Sequence, residues 1–271
     1  MLIFLTTPTE EAALLEVARE YGLAVEKDTD PEFGVYRRLE KVGQETVIAI
    51  SPSRRGGQIV MGAHGRRGTA WKGIMYREAT LAQAIVQLGM AFGLDPGVQK
   101  PGDVLISTSL IPYDHRRIRP APDGDLDYAI DYPGVRREPA RPSLLAMFRR
   151  EPERGSFPFG VSFGAMLSGG ARIHCARYRD ELVRGIPATE GEPIVGGEME
   201  GVGLLAASIA EQDPIWCVVK GISDFADEGR DAVIESTREI ACRNAARFVI
   251  SALLNDDGQL PRGSGNGVET W

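Results

Sequence analysis

Along most of its length the chain alternates short apolar runs with segments of helical periodicity. "LIFLT" (Leu2–Thr6) has the length and continuity of a strand buried on both faces. "PTEEAALLEVAREYG" then carries apolar positions at helical spacing; Pro8 and Thr9 suit its start, Glu10 and Glu11 sit in its first turn, and Gly22 ends it. "TVIAIS" and "QIVMGA" read as strands, and "AIVQLGMAFG" as a strand running into a glycine-rich bend. "GDVLIST", "FPFGVSFGAML", "EPIVGG" and "PIWCVVKGIS" are further strands. "GGEMEGVGLLAAS" turns helical at about Gly201, and Asp231–Leu254 is a long final amphipathic helix. Strands alternating with helices predict a single α/β domain: a central mixed, mainly parallel sheet flanked by helices.

Two regions break this rhythm. Tyr113–Gly155 is rich in proline, arginine and aspartate, and only "SLLAMF" has a packed-helix pattern, so a long surface excursion is expected there. The polar, glycine-rich end is expected to be a disordered tail over 256–271, leaving a domain of 1–255.

Composition narrows the classes. With 271 residues and 43% hydrophobic content the chain can fill one large core. A net charge of −7 argues against general nucleic-acid binding, which leaves a basic footprint. Cys175, Cys217 and Cys242 are widely spaced and form neither a disulfide framework nor a metal motif, so no metal and a cytoplasmic setting are expected. No apolar run approaches the roughly 20 residues of a membrane span, and "MLIFL" is too short for a signal peptide.

In open α/β sheets ligands bind outside the carboxyl ends of the strands. Four polar or glycine-bearing stretches follow predicted strands: Thr6–Glu11, Gly89–Gly93, Glu198 with Glu200, and Ser223 with Asp224 and Asp227. Each has a plainer reading. Glu10, Glu11 and Glu200 could complement a helix dipole, Asp224 could cap a turn, and "GMAFG" could simply end a strand. On spacing alone the chain is an α/β protein with an acidic ligand site.

Three motifs carry a resemblance. "LGMAFG" followed by "PGDVLIS", then "GGEMEG", then "VVKGISDFAD" resemble, in order, segments of the nucleoside phosphorylase superfamily, in the branch of methylthioadenosine/S-adenosylhomocysteine nucleosidase. The wording is closer still to phosphorylase-like modules of bacterial signalling and anti-phage defence proteins. The likeness runs from Leu2 to about Leu254 and is weakest in Tyr113–Gly155.

This resemblance implies cleavage of the N-glycosidic bond of an adenine nucleoside or nucleotide, ATP among them as for a defence effector, with hydrolysis favoured over phosphorolysis. Methylthioadenosine or S-adenosylhomocysteine salvage, a purine nucleoside phosphorylase, and a non-catalytic nucleoside sensor are the alternatives. It implies Asp224 as the acid at N7 of the base, supported by Ser223. It implies Glu200 as the acceptor from the ribose hydroxyls, with Met199 and Glu198 beside the sugar and Gly89, Met90 and Ala91 lining the site. Glu10 would orient the attacking water. Where nucleosidases place an aspartate and an aromatic ring after the long strand, this chain has "SGGARI", so Arg172 and Ile173, with Phe163 nearby, are candidates for contact with the base. Arg66, Arg67, Arg116 and Arg117 are candidates for holding phosphate, although five aspartates in the same long segment offset the last two. The family also implies a homo-oligomer, no cofactor beyond inorganic phosphate for a phosphorylase, and signalling or defence partner proteins.

Overall fold

A computed structural model of the protein describes residues 1–30, 34–40, 47–50, 62–63, 68–80, 82–121, 128–186, 192–208 and 214–256. Strand β1 (Leu2–Phe4) is fully buried and leads into helix α1 (Pro8–Glu20). The helix starts at its proline: Thr7 is the cap, and its hydroxyl accepts the Glu10 amide while the Glu10 carboxylate accepts the Thr7 amide. β2 (Ala24–Asp30) and β3 (Gly34–Glu40) form an antiparallel hairpin, and β4 (Val47–Ile50) joins it to β1. After α2 (Thr69–Thr80) come β5 (Ile85–Gly93) and β6 (Val104–Pro112). The segment predicted as a strand and bend is one continuous strand, β5, with its glycines inside it. "QIVMGA" falls mostly outside the described residues.

The long excursion is more structured than its composition predicts. It holds a separate hairpin, β7 (Arg117–Pro120) with β8 (Tyr128–Asp131), then the short β9 (Glu138–Pro139) against β6, and helix α3 (Pro142–Arg154). Its first residue, Tyr113, is fully buried. β10 (Val161–Ser168), α4 (Ala176–Gly185), β11 (Ile194–Glu198), a 3-10 turn (Gly201–Gly203) with the short α5 (Leu204–Ala207), β12 (Trp216–Asp224) and α6 (Arg230–Leu254) complete the fold.

Among the described residues the main sheet runs β11-β10-β6-β12-β5-β1-β4-β3-β2, mostly parallel from β10 to β4. β12 occupies the middle with all nine residues buried, and α1 and α6 pack on the same side of the sheet, against each other. Fully burying a leucine-sized side chain contributes about 1.5–3 kcal/mol, so this centre holds the domain together. One end of the sheet curls back: β11 also pairs antiparallel with β5, Gly196 opposite Gly93 and Gly197 opposite Phe92. The approach is close enough that a Cβ on Gly196 would lie 2.4 Å from the Phe92 carbonyl oxygen, and one on Gly197 2.3 Å from the Phe92 ring. The two glycines before Glu198 therefore close the sheet and bring the β11 end over the ends of β5 and β12. Asp256 is buried and paired with Arg150; 257–271 lie outside the described residues.

Candidate active site

At the carboxyl ends of β5, β11 and β12 a cavity of about 450 Å3 opens between α1 and α6. Glu10, Met90, Ala91, Arg172, Ile173, Glu198, Met199, Glu200, Ser223 and Asp224 line it, which brings together most of the predicted site residues. Gly89 lies just beneath, in β5. Arg66 and Arg67 lie outside the described residues. Arg116 lines an adjoining cavity that shares Ala171, Arg172 and Ile173 with this one and donates to Tyr178, while Arg117 lines neither cavity and pairs with Asp131 at 3.0 Å. Phe163 lies under Arg149 and packs on the main core, away from this cavity.

The floor is a buried charge cluster that the motifs alone leave incomplete. Lys220, fully buried in the middle of β12, donates from Nζ to Glu200 Oε2 at 2.9 Å and lies 3.7 Å from Glu198 Oε2. Burial opposes its charge, but the Glu200, Glu198 and Glu10 carboxylates outweigh that and hold the ammonium's pKa above its usual range. A lysine inside "IWCVVKGIS" was itself the signal, since a charge in a fully apolar strand needs buried partners.

Each carboxylate is positioned differently. Glu198 accepts from the Ser168 hydroxyl at 2.5 Å and from the Glu200 and Gly201 amides, so it pins the turn that presents Glu200. Glu200 accepts the Gly62 amide on Oε1 at 3.2 Å, leaving Oε2 to Lys220. Glu10 accepts the Thr6 amide at 2.6 Å and the Thr7 amide at 2.8 Å, both on Oε2. Burial raises Glu10 and Glu198 above the ordinary carboxylate range, because one ammonium cannot balance three buried acids. Gly89 makes room for this arrangement: a Cβ there would lie 2.1 Å from Glu10 Oε1.

The opposite wall is built at the end of β12. Here the strand carries one residue more than β5 beside it, a β-bulge at Ser223. Ser223 donates to Asp224 Oδ2 at 2.8 Å and to the Ala91 carbonyl at 3.2 Å. Asp224 Oδ1 accepts the Ala226 amide at 3.0 Å, and Arg230 Nε lies 3.4 Å from Oδ2. Asp227 caps the following turn through the Gly229 amide. Among the described residues no group of three or more His, Cys, Asp or Glu side chains could hold a metal ion; in the acid cluster Lys220 supplies the positive charge.

A family model described as the phosphorylase superfamily matches residues 20–254. The chain belongs to the phosphorylase superfamily. It is 28% identical over 187 residues to a death domain-containing ATP nucleosidase of Amphimedon queenslandica, a match covering 64% of this chain and 34% of that protein. It is 28% identical over 182 residues to a 5′-methylthioadenosine/S-adenosylhomocysteine nucleosidase of Mycobacterium bovis, covering 60% of this chain and 68% of that one. The chain thus spans about a third of the first relative. The corresponding nucleosidase of Neisseria meningitidis, solved with methylthio-immucillin-A, superposes with a TM-score of 0.70 at 19% identity over 93% of this chain and 97% of its own. Futalosine hydrolase of Helicobacter pylori gives 0.69 at 19% identity, over 93% of this chain and 96% of its own. The two solved structures share the α/β fold of this chain. No helix among its described residues is long and apolar enough to cross a membrane.

Proposed function

We propose that this superfamily member hydrolyses the N-glycosidic bond of an adenine nucleoside or nucleotide, with ATP among the candidate substrates. The observation that carries the reading is the placement of two acids across one cavity: Glu10 beside the charge cluster, and Asp224 at the bulged end of β12. The base sits towards Asp224 and the ribose hydroxyls on Glu200. The C1′–N9 bond breaks with its electron pair passing to the purine, and Asp224 delivers a proton to N7. A water attacks C1′ and gives its proton to Glu10. Oε2 of Glu10 takes both backbone amides, which leaves Oε1 to accept the proton. Positive charge gathered on the sugar is met by Glu200 and the carboxylates around it.

Incubation with adenosine, methylthioadenosine, AMP and ATP, each with and without inorganic phosphate, tests this. Free adenine and a reducing sugar without added phosphate are expected. A strict phosphate requirement would show phosphorolysis and remove Glu10 from its role. Binding of a nucleoside with no adenine release from any substrate would show a sensor.

A further inference from the structure

The base and sugar leave one wall of the cavity unassigned. It is formed by one face of α6, where Arg230, Ile234 and Arg238 recur at intervals of four, together with Thr7, Pro8 and Thr9 at the start of α1. Arg230 directs Nε to Asp224 and Nη1 to Asp231, both at 3.4 Å. A guanidinium has five N–H donors, and these two long contacts, on Nε and Nη1, leave the Nη2 hydrogens for another partner. Arg238 donates Nε to the Ile234 carbonyl at 3.2 Å, and among the described residues no carboxylate is paired with it. Most of the arginines elsewhere on the described surface, such as Arg37, Arg117, Arg149 and Arg243, lie against acids.

We propose that Arg230 and Arg238 form an anion subsite for a phosphate chain carried on the 5′ carbon of the substrate's ribose. The location of the sugar rests on the N-glycosidase reading above. With its base at Asp224 and its hydroxyls on Glu200, a ribose turns its 5′ arm towards the wall that remains. Guanidinium groups pair with phosphate oxygens through parallel hydrogen bonds, and the positive end of α1 adds to the attraction. Eight residues of helix separate the two arginines by about 12 Å along the axis, a spacing that suits a di- or triphosphate better than one phosphate. An apolar 5′ group would instead strip water from two cations without replacing it.

The test compares the wild type with Arg238→Gln, Arg238→Lys and the double variant Arg230→Gln/Arg238→Gln. The kcat/KM for adenine release is measured with adenosine, methylthioadenosine, S-adenosylhomocysteine, AMP and ATP. The wild type is expected to prefer ATP to adenosine by about tenfold or more, and Arg238→Gln to lower that ratio by about tenfold, the effect of one charge-assisted hydrogen bond. Arg238→Lys should retain part of the preference. Calorimetry with inorganic tripolyphosphate, without divalent metal, reads the subsite independently of turnover; binding is expected in the wild type and not in the double variant. A preference for adenosine, methylthioadenosine or S-adenosylhomocysteine, or equal tripolyphosphate binding by wild type and double variant, would overturn the proposal. Tripolyphosphate binding lost in the double variant, with no adenine released from any substrate, would support the subsite and reject the N-glycosidase reading.

Discussion

Lys220 Nζ meets Glu200 Oε2 at 2.9 Å from the middle of an otherwise apolar strand. The pair ties the sugar side of the cavity to the centre of the sheet, so the site and the core share one interaction. Lys220→Met would leave three carboxylates buried without their cation. Breaking a buried pair in this way costs about 3–5 kcal/mol. For a domain of this size that corresponds to a loss of about 10 °C or more in Tm. Thermal unfolding checks it, and a variant as stable as the wild type would refute the account of the cluster. Lys220→Arg, which keeps the charge, should recover part of the loss.

Gly89→Ala strikes the Glu10 end of the charge cluster. The new methyl group would overlap Glu10 Oε1, while Thr6 and Thr7 hold the other oxygen in place. The methyl group would also crowd Lys220 Nζ at 3.2 Å and force a side chain onto a backbone with φ +157°, so stability falls together with activity. A loss in kcat of about 100-fold is expected, in line with misplacing a general base. An unaltered kcat would contradict the placement of Glu10.

Asp224→Asn keeps the shape of the bulged strand end and can still accept the Ala226 amide, but its NH2 turns from acceptor to donor towards Ser223 and it cannot supply the proton. Adenine release should fall by about 100- to 10,000-fold. Substrate binding, measured by calorimetry, should change little. Comparable losses in both would make Asp224 a structural residue.

The pH dependence follows from Glu10. Its carboxylate must be ionised to take a proton from water, and burial raises its pKa above the ordinary 4.5 despite the opposing charge of Lys220. Activity should therefore rise with pH through a limb whose midpoint lies above 4.5. That limb should disappear, together with most of the rate, in Glu10→Gln. A wild-type midpoint at or below 4.5 in a kcat/KM profile would count against Glu10 as the base.

The elements with one-sided or continuous apolar patterns were legible in the sequence: β1, α1, β6, β12 and α6 all appear where periodicity places them. The β2–β3 hairpin was not. Its strands "AVEKDTD" and "GVYRRLE" carry charges on both faces at the sheet edge, which leaves little alternation to read. Nor were α2, whose mixed composition marks no clear apolar stripe, and α4, a short helix in which charged residues outnumber apolar ones. The glycines of β5 suggest a bend because sequence shows the missing side chain but not what fills its place: the Glu10 carboxylate at Gly89, Phe225 and Gln99 at Gly93. For the site, the motifs gathered Glu10, Glu198, Glu200, Ser223 and Asp224. Lys220, Arg230 and Arg238 were missed, since their importance depends on strands and helices meeting in space.

The irregular turn of β12 at Ser223 has a consequence for how the proton-handling end is encoded. In a regular strand consecutive side chains point to opposite sides. The extra residue lets Ser223 and Asp224 both line the cavity, hydroxyl beside carboxyl at 2.8 Å. An acid and its orienting partner usually come from distant parts of a chain and depend on packing to meet. Here two adjacent codons deliver both, and they travel together whatever happens to the rest of the pocket.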